Sequence, residues 1–263
     1  MERERITPPY EMNYNWGSDV DGYKSGFAKV EAEVYFPFVL KFARERFELD
    51  KVSFLDVGCG LGPMAYAFCV STKDLPGSSY LGIDIRKDAI DWLASAYGDM
   101  DNVQFLHHAT KESVDYIPNA ETVGTSSGDE ADYAIPERTF NIQWSSSLFT
   151  HLTPQACVRA LKSIARAMVP GGLSVNTWLI IDDNSVQSLA MGVADRQLPI
   201  DYGEFLSYSA HNPLMCTAYK SPSIARFYEE AGLKIVGFLP GSWRGQGITN
   251  GITYQDIILS ELR

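Results

Sequence analysis

Asp56, Asp84 and His151 are the residues whose types and settings promise chemistry. Asp56 opens "DVGCGLGP", in which Gly58, Gly60 and Gly62 permit a tight turn and let a ligand lie against the backbone. Asp84 sits at the end of the next apolar run, "SYLGIDI", where open α/β folds place a carboxylate to accept from ribose hydroxyls. His151 lies in "SSSLFTHLTPQ", after a strand-like run that ends in serines. An imidazole there is a candidate general base, and equally a candidate for hydrogen-bonding loop backbone.

The glycine run admits several ligands. A nicotinamide dinucleotide site asks for a small residue where this chain has Pro63. A phosphate-cradling loop ends in Lys-Ser/Thr, which is missing here. A nucleoside without a pyrophosphate, S-adenosylmethionine, fits better. Asp56 would then serve its amino-acid end and Asp84 its ribose, and a glycine-rich turn with no ligand is the bland alternative.

These residues need a scaffold that brings strand ends to one edge. Strands and helices alternate from Val52 onward: "VSFLDVG", a helix over 62–71, "SYLGIDI", the helix "RKDAIDWLASAYG", "NVQFLHHA" and "FNIQWSSS". The second helix carries Ala89, Ile90, Leu93 and Tyr97 on one face and ends at Gly98. After the fourth strand, Thr153 reads as an N-cap with Pro154 at the first helical position. Val158, Leu161, Ile164 and Met168 form that helix's stripe, "PGG" at 170–172 ends it, and "LSVNTWLII" is a strand. A short helix (223–231), a strand (233–239) and "TYQDIILS" close the chain. No helix separates these last two strands, so they should pair antiparallel.

Upstream, residues 25–48 read as helical with Phe27, Val30, Val34 and Phe38 on one face, and Pro37 should kink or divide that helix. Residues 1–24 read as an N-terminal arm or lid. Residues 25–263 form one domain with polar or irregular insertions at about 111–138 and 182–220. The fold class is α/β: a doubly wound, seven-stranded, mostly parallel sheet with an antiparallel C-terminal edge hairpin.

Composition excludes several classes. A net charge of −11 and the lack of a Lys/Arg cluster argue against nucleic-acid partners. No apolar run is long enough to cross a membrane, the first residues are charged, and a cytoplasmic location follows by default. Cys59, Cys69, Cys157 and Cys216 are too scattered for a zinc site or a disulfide frame, and no metal is expected. Oligomeric state is not legible.

From residue 50 onward the chain resembles the class I S-adenosylmethionine-dependent methyltransferases. "FLDVGCGLGP", "YLGIDIRKDAIDWL", "FNIQWSSSLFTHL" and "IARAMVPGGLSVNTW" carry the likeness. "IDWL", "SLFTHL" and "PGSWRG…YQDIIL" further resemble bacterial members associated with surface-polysaccharide or glycan synthesis. The resemblance implies that Asp56, Gly58, Gly60, Gly62, Asp84, Ile85, His108 and Trp144 bind S-adenosylmethionine. The family's third strand ends in an acid that accepts from adenine. Here that position is Ala109, which leaves backbone groups, His108 or Thr110 for the base.

The expected reaction is methyl transfer to a hydroxyl of a saccharide or polyhydroxylated small molecule, with His151 as base. A phenolic or polyketide acceptor and a non-catalytic, S-adenosylmethionine-binding subunit are the alternatives. His211, with Asp201, Tyr202, Glu204, Tyr208 and Tyr219 near it in sequence, offers a cap of rings and carboxylates suited to sugar. Trp243 and Arg244, in "SWRGQG", read as turn-fixing residues more than acceptor contacts, and "TPPY" at 7–10 reads as an extended arm segment.

Overall fold

The computed structural model describes residues 6–13, 20–108, 135–245 and 252–262. The chain divides into two compact units, Met1–His108 and Ala109–Arg263, and a seven-stranded sheet is the main structure.

In the first unit, β1 (Ser53–Val57), β2 (Ser79–Asp84) and β3 (Val103–His107) are parallel, with β2 between the other two. The connections are α3 (Pro63–Ser71) and α4 (Lys87–Ala96). Four of the five β1 side chains are buried, as expected of a parallel strand covered on both faces. Ala89, Ile90, Leu93 and Tyr97 are all buried on α4 and the turn that follows it.

The N-terminal helical region departs from the helix expected over 25–48 with a kink or division at Pro37. It comprises α1 (Val20–Gly26), a π-helical turn (Glu31–Tyr35) and α2 (Phe36–Arg44). Val30 and Val34 are exposed, whereas Phe36, Val39, Leu40 and Ala43 are buried. Two local features change the helical phase. Ala28 has φ +56°, which breaks the chain direction after α1, and the π turn adds a residue to one turn. Pro37 falls in the first turn of α2, where its missing N–H costs no bond. The expected arm boundary at 24 lies inside α1.

In the second unit, β4 (Phe140–Ser145) is parallel to β5 (Met168–Trp178). β11 (Asp256–Leu262) pairs antiparallel with β5, and β10 (Leu233–Leu239) antiparallel with β11, forming the expected edge hairpin. α5 (Pro154–Ala167) opens as the sequence predicts: the Thr153 hydroxyl accepts from the Ala156 amide, and Pro154 occupies the first turn. It ends earlier than expected, at Ala167. The "PGG" stretch lies within β5 rather than terminating the helix.

The 182–220 segment is more regular than its composition suggests. α6 (Asp183–Ala190) starts with a capping box in which Asp182 and Ser185 satisfy each other's backbone N–H groups. β6 (Ile180–Ile181), β7 (Ile200–Asp201), β8 (Phe205–Ser207) and β9 (Thr217–Lys220) make a second, four-stranded sheet. α7 (Ser221–Glu230) follows directly. Short strands bounded by Asp, Gly, Ser and Pro carry too little alternation to be read from sequence. The expected insertion at 111–138 lies outside the described residues except for its last four positions. Among the described residues no helix is long and apolar enough to cross a membrane, and no His/Cys/Asp/Glu group could hold a metal ion.

Candidate active site

The glycine loop joins β1 to α3 and is held by a carboxylate from the next strand. Gly58, Gly60 and Gly62 adopt φ of +83°, +54° and +75°. The Gly60 amide donates to Asp84 Oδ2 at 2.7 Å, and the Arg86 amide donates to Oδ1 at 2.9 Å. Asp84 therefore fixes the loop. Burial raises its carboxyl above the ordinary range, opposed by these amides and the Arg86 charge.

Gly62 needs both its left-handed backbone and its missing side chain. A Cβ there would sit 2.5 Å from Leu93 Cδ2, whereas one on Gly60 would meet nothing within 4 Å. Gly62→Ala is expected to cost about 2–4 kcal/mol, combining backbone strain with overpacking, against about 1–2 kcal/mol for Gly60→Ala. Chemical denaturation of both variants tests the contrast. Equal losses would show that contact with Leu93 contributes nothing.

Asp56 is 2% exposed, and its Oδ2 accepts from the Tyr80 hydroxyl at 2.6 Å. Its carboxyl is pushed up to about 7 by burial, with Asp84 and Glu31 adding to the rise and the Tyr80 bond opposing it. Burial confines Asp56 to supporting the turn from beneath, or reaching a ligand's amino-acid end through water. Tyr80 was not identifiable from sequence as its partner, because parallel pairing rather than proximity along the chain brings β2 beside β1. Ile85 follows Asp84, and its carbonyl accepts from His107 Nε2 at 3.0 Å. The His108 amide donates to the Asp84 carbonyl at 2.9 Å, and burial lowers its imidazole's proton affinity. Ala109 and Thr110, the other adenine candidates, lie outside the described residues.

The N-terminal segment borders this loop. Tyr10, Tyr23, Phe27 and Ala28 pack with Leu61 and Tyr66, and Arg86 Nη2 donates to the Met12 carbonyl at 3.1 Å. Glu31, in the π turn, has a buried Oε2 with no hydrogen-bond partner among the described residues, and burial raises its carboxyl. Sequence reading missed it, because its setting depends on a backbone irregularity.

In the second unit, His151 closes a 3₁₀ turn (Phe149–His151) beyond β4. Leu214 lies in another such turn (Pro213–Met215), and its carbonyl is 3.0 Å from His151 Nδ1. A carbonyl only accepts, so Nδ1 carries the proton and Nε2 is the accepting nitrogen. Burial lowers the His151 pKa, the nearby Arg196 charge adds to this, and the Leu214 bond opposes it. β9 anchors the turn: Tyr219 Oη donates to the Leu152 carbonyl at 2.7 Å, while the Phe149 ring stacks on Trp178 at 4.2 Å.

Between β4 and this turn, Ser147 adopts φ +58°. Its amide donates to Thr177 Oγ1 at 2.8 Å, its Oγ accepts from Gln255 Nε2 at 3.0 Å, and Thr177 donates to Gln255 Oε1 at 2.6 Å. This side-chain ring at the end of β4 was not foreseen. The serines and the "YQD" motif were its only sequence signals.

Other expected site residues fall elsewhere. Trp144 is 2% exposed and lies among the buried hydrophobic residues. Asp201 pairs with Lys220 at 2.9 Å, Glu204 pairs with Arg226, and Tyr219 is buried. The carboxylates expected to face a sugar are thus engaged by cations, while Tyr202, Tyr208 and His211 are exposed. Trp243 and Arg244 are buried, consistent with a turn-fixing role.

A glycine loop held by an acid from the adjacent parallel strand, in a seven-stranded sheet with an antiparallel C-terminal hairpin, defines the class I methyltransferase fold. Residues 55–175 match the family model described as a methyltransferase domain. That match supports S-adenosylmethionine-dependent methyltransferase activity, with S-adenosylmethionine as the cofactor. Solved structures share the fold at low identity. An S-adenosylmethionine-dependent methyltransferase from Clostridium acetobutylicum is 12% identical with a TM-score of 0.53, covering 89% of this chain and 93% of that one. A protein from Pyrococcus horikoshii is 13% identical with a TM-score of 0.54, covering 94% and 100%. A methyltransferase from Aquifex aeolicus is 13% identical with a TM-score of 0.51, also covering 94% and 100%.

The first unit's donor set suits this cofactor. Glu31, Asp56 and Asp84 bring negative charge to the glycine loop, and the cofactor carries a sulfonium and an ammonium.

Proposed function

We propose that the chain transfers the methyl group to a hydroxyl oxygen of a saccharide or polyhydroxylated small molecule, in the setting of glycan synthesis, with His151 as the general base. The cofactor supplies a methyl group already activated by the sulfonium. The protein must align the acceptor and exclude water, which supplies several kcal/mol. A hydroxyl is a poor nucleophile near neutral pH and gains from a base that takes its proton as the carbon–oxygen bond forms.

The His151 tautomer carries this reading. With Nδ1 committed to the Leu214 carbonyl, Nε2 is the proton acceptor, and a lowered pKa keeps the ring neutral at physiological pH. The same bond fixes the loop, so positioning and base function coexist in one ring. The sequence motifs shared with glycan-associated methyltransferases support the acceptor class.

Turnover of the purified protein with labelled S-adenosylmethionine on panels of saccharides, nucleotide sugars and phenols tests the acceptor. Label entering phenols alone would overturn the saccharide reading. For the base, His151→Ala is expected to lower kcat about a hundredfold while cofactor affinity holds. The acid limb of the wild-type kcat profile should fall below the ordinary imidazole value of about 6.5. Full activity in the variant would remove the base role.

A further inference from the structure

Glu31 combines features that a merely structural acid would not need. Its Oε2 is buried with no hydrogen-bond partner among the described residues, an unfavourable state for a carboxylate. The backbone presenting it is irregular twice over. Ala28 has φ +56°, and Glu31 itself begins the π turn Glu31–Tyr35. Both conformations cost energy and recur where a side chain must be aimed. The segment lies against the glycine loop: Phe27 and Ala28 belong to the cluster that packs with Leu61 and Tyr66, and the π turn packs on α3. The Glu31 charge is felt at Asp56. Asp56 is buried and already accepts from Tyr80, so it is poorly placed to meet a cation directly.

We infer that Glu31 is the carboxylate that receives the ammonium of the cofactor's methionine end, with Asp56 supporting the loop beneath. The N-terminal segment thereby belongs to the cofactor site. This follows from the cofactor assignment and is independent of the acceptor.

Titration calorimetry on wild type and Glu31→Gln tests it with three ligands. These are S-adenosylmethionine, S-adenosylhomocysteine and 5′-methylthioadenosine, the last of which lacks the amino-acid end. The first two are expected to weaken by about tenfold or more, as for a lost charge-assisted bond, with 5′-methylthioadenosine within about twofold. The thermal midpoint of the ligand-free variant should not fall, because the charge on a carboxylate whose Oε2 is buried without a partner has been removed. Unchanged affinity for S-adenosylmethionine would overturn the inference. Equal loss for all three ligands, or loss confined to the sulfonium ligand, would overturn it too. If the wild type binds none of them, the cofactor assignment fails instead. Should Glu31→Gln not fold, Glu31→Asp, with shorter reach, is expected to show the same split among the ligands.

Discussion

Replacing Asp256 with alanine is expected to lower the unfolding free energy by about 3–5 kcal/mol, because it takes from a buried arginine one of its two carboxylate partners and leaves buried donors without an acceptor. Asp256 is fully buried, and five donors converge on its carboxylate. Oδ1 accepts from the Gly241 amide at 2.7 Å and Arg244 Nε at 2.6 Å. Oδ2 accepts from the Ile180 amide at 2.8 Å, Trp243 Nε1 at 2.9 Å and Arg244 Nη2 at 3.1 Å. Arg244, itself 1% exposed, reaches on to both oxygens of Asp182 at 2.7 and 2.8 Å. Asp182 is the N-cap of α6, so one guanidinium joins the terminal hairpin to the start of that helix. Gly241 is fitted to the same knot, since a Cβ there would lie 2.3 Å from the Gln255 carbonyl carbon.

Urea unfolding of Asp256→Ala, Arg244→Met and the double variant measures this. Asp256→Ala takes from Arg244 one of its two carboxylate partners and Arg244→Met leaves Asp256 buried without its cation, whereas the double change removes that pair together. The double variant should therefore lose less than the sum of the singles. Losses that add within about 0.5 kcal/mol would show that the groups do not act as a unit.

This knot also marks where sequence reading ends. "PGSWRG" and "YQDIIL" were visible as motifs, but no periodicity announces that Arg244 faces Asp256 across a turn and Asp182 across a longer interval. The regular part was legible for good reasons. Apolar runs ending in glycine or aspartate could only be buried strands, and the α4 face and the Thr153 cap follow from local chemistry alone. The N-terminal helices were misphased because Ala28 and the π turn break a rule that the residues otherwise obey. The small sheet within 182–220 was missed because two- and three-residue strands carry no period. At the glycine loop, the glycines and acids could be singled out in advance, but not their hydrogen-bond partners. Asp56 proved to be occupied by Tyr80, Asp84 to be a tether of the loop, and Trp144 to be core. Such partnerships are set by strand register and burial, which are tertiary facts.

The tether makes Asp84 the residue whose loss should most damage cofactor binding. Its carboxylate accepts the Gly60 and Arg86 amides, and we propose for it a second task, accepting from the cofactor's ribose. Alanine removes both, leaving the Gly60 amide without its acceptor and freeing a loop whose glycines hold left-handed conformations. A lost charge-assisted bond to ligand and a loosened loop together cost about 2–3 kcal/mol, roughly a hundredfold in affinity, and calorimetry should find S-adenosylmethionine binding severely weakened. Asparagine separates the tasks. Its single carbonyl can serve the Gly60 amide but carries no charge, so Asp84→Asn should keep more of the wild-type stability than Asp84→Ala while still losing most of the affinity. The site's charge balance would shift as well. Asp84 helps raise the Asp56 carboxyl to about 7, so its removal should lower that pKa and move the pH dependence of residual binding to more acid values. Wild-type affinity in Asp84→Ala would sink the assignment of the cofactor to this loop, whatever the acceptor proves to be.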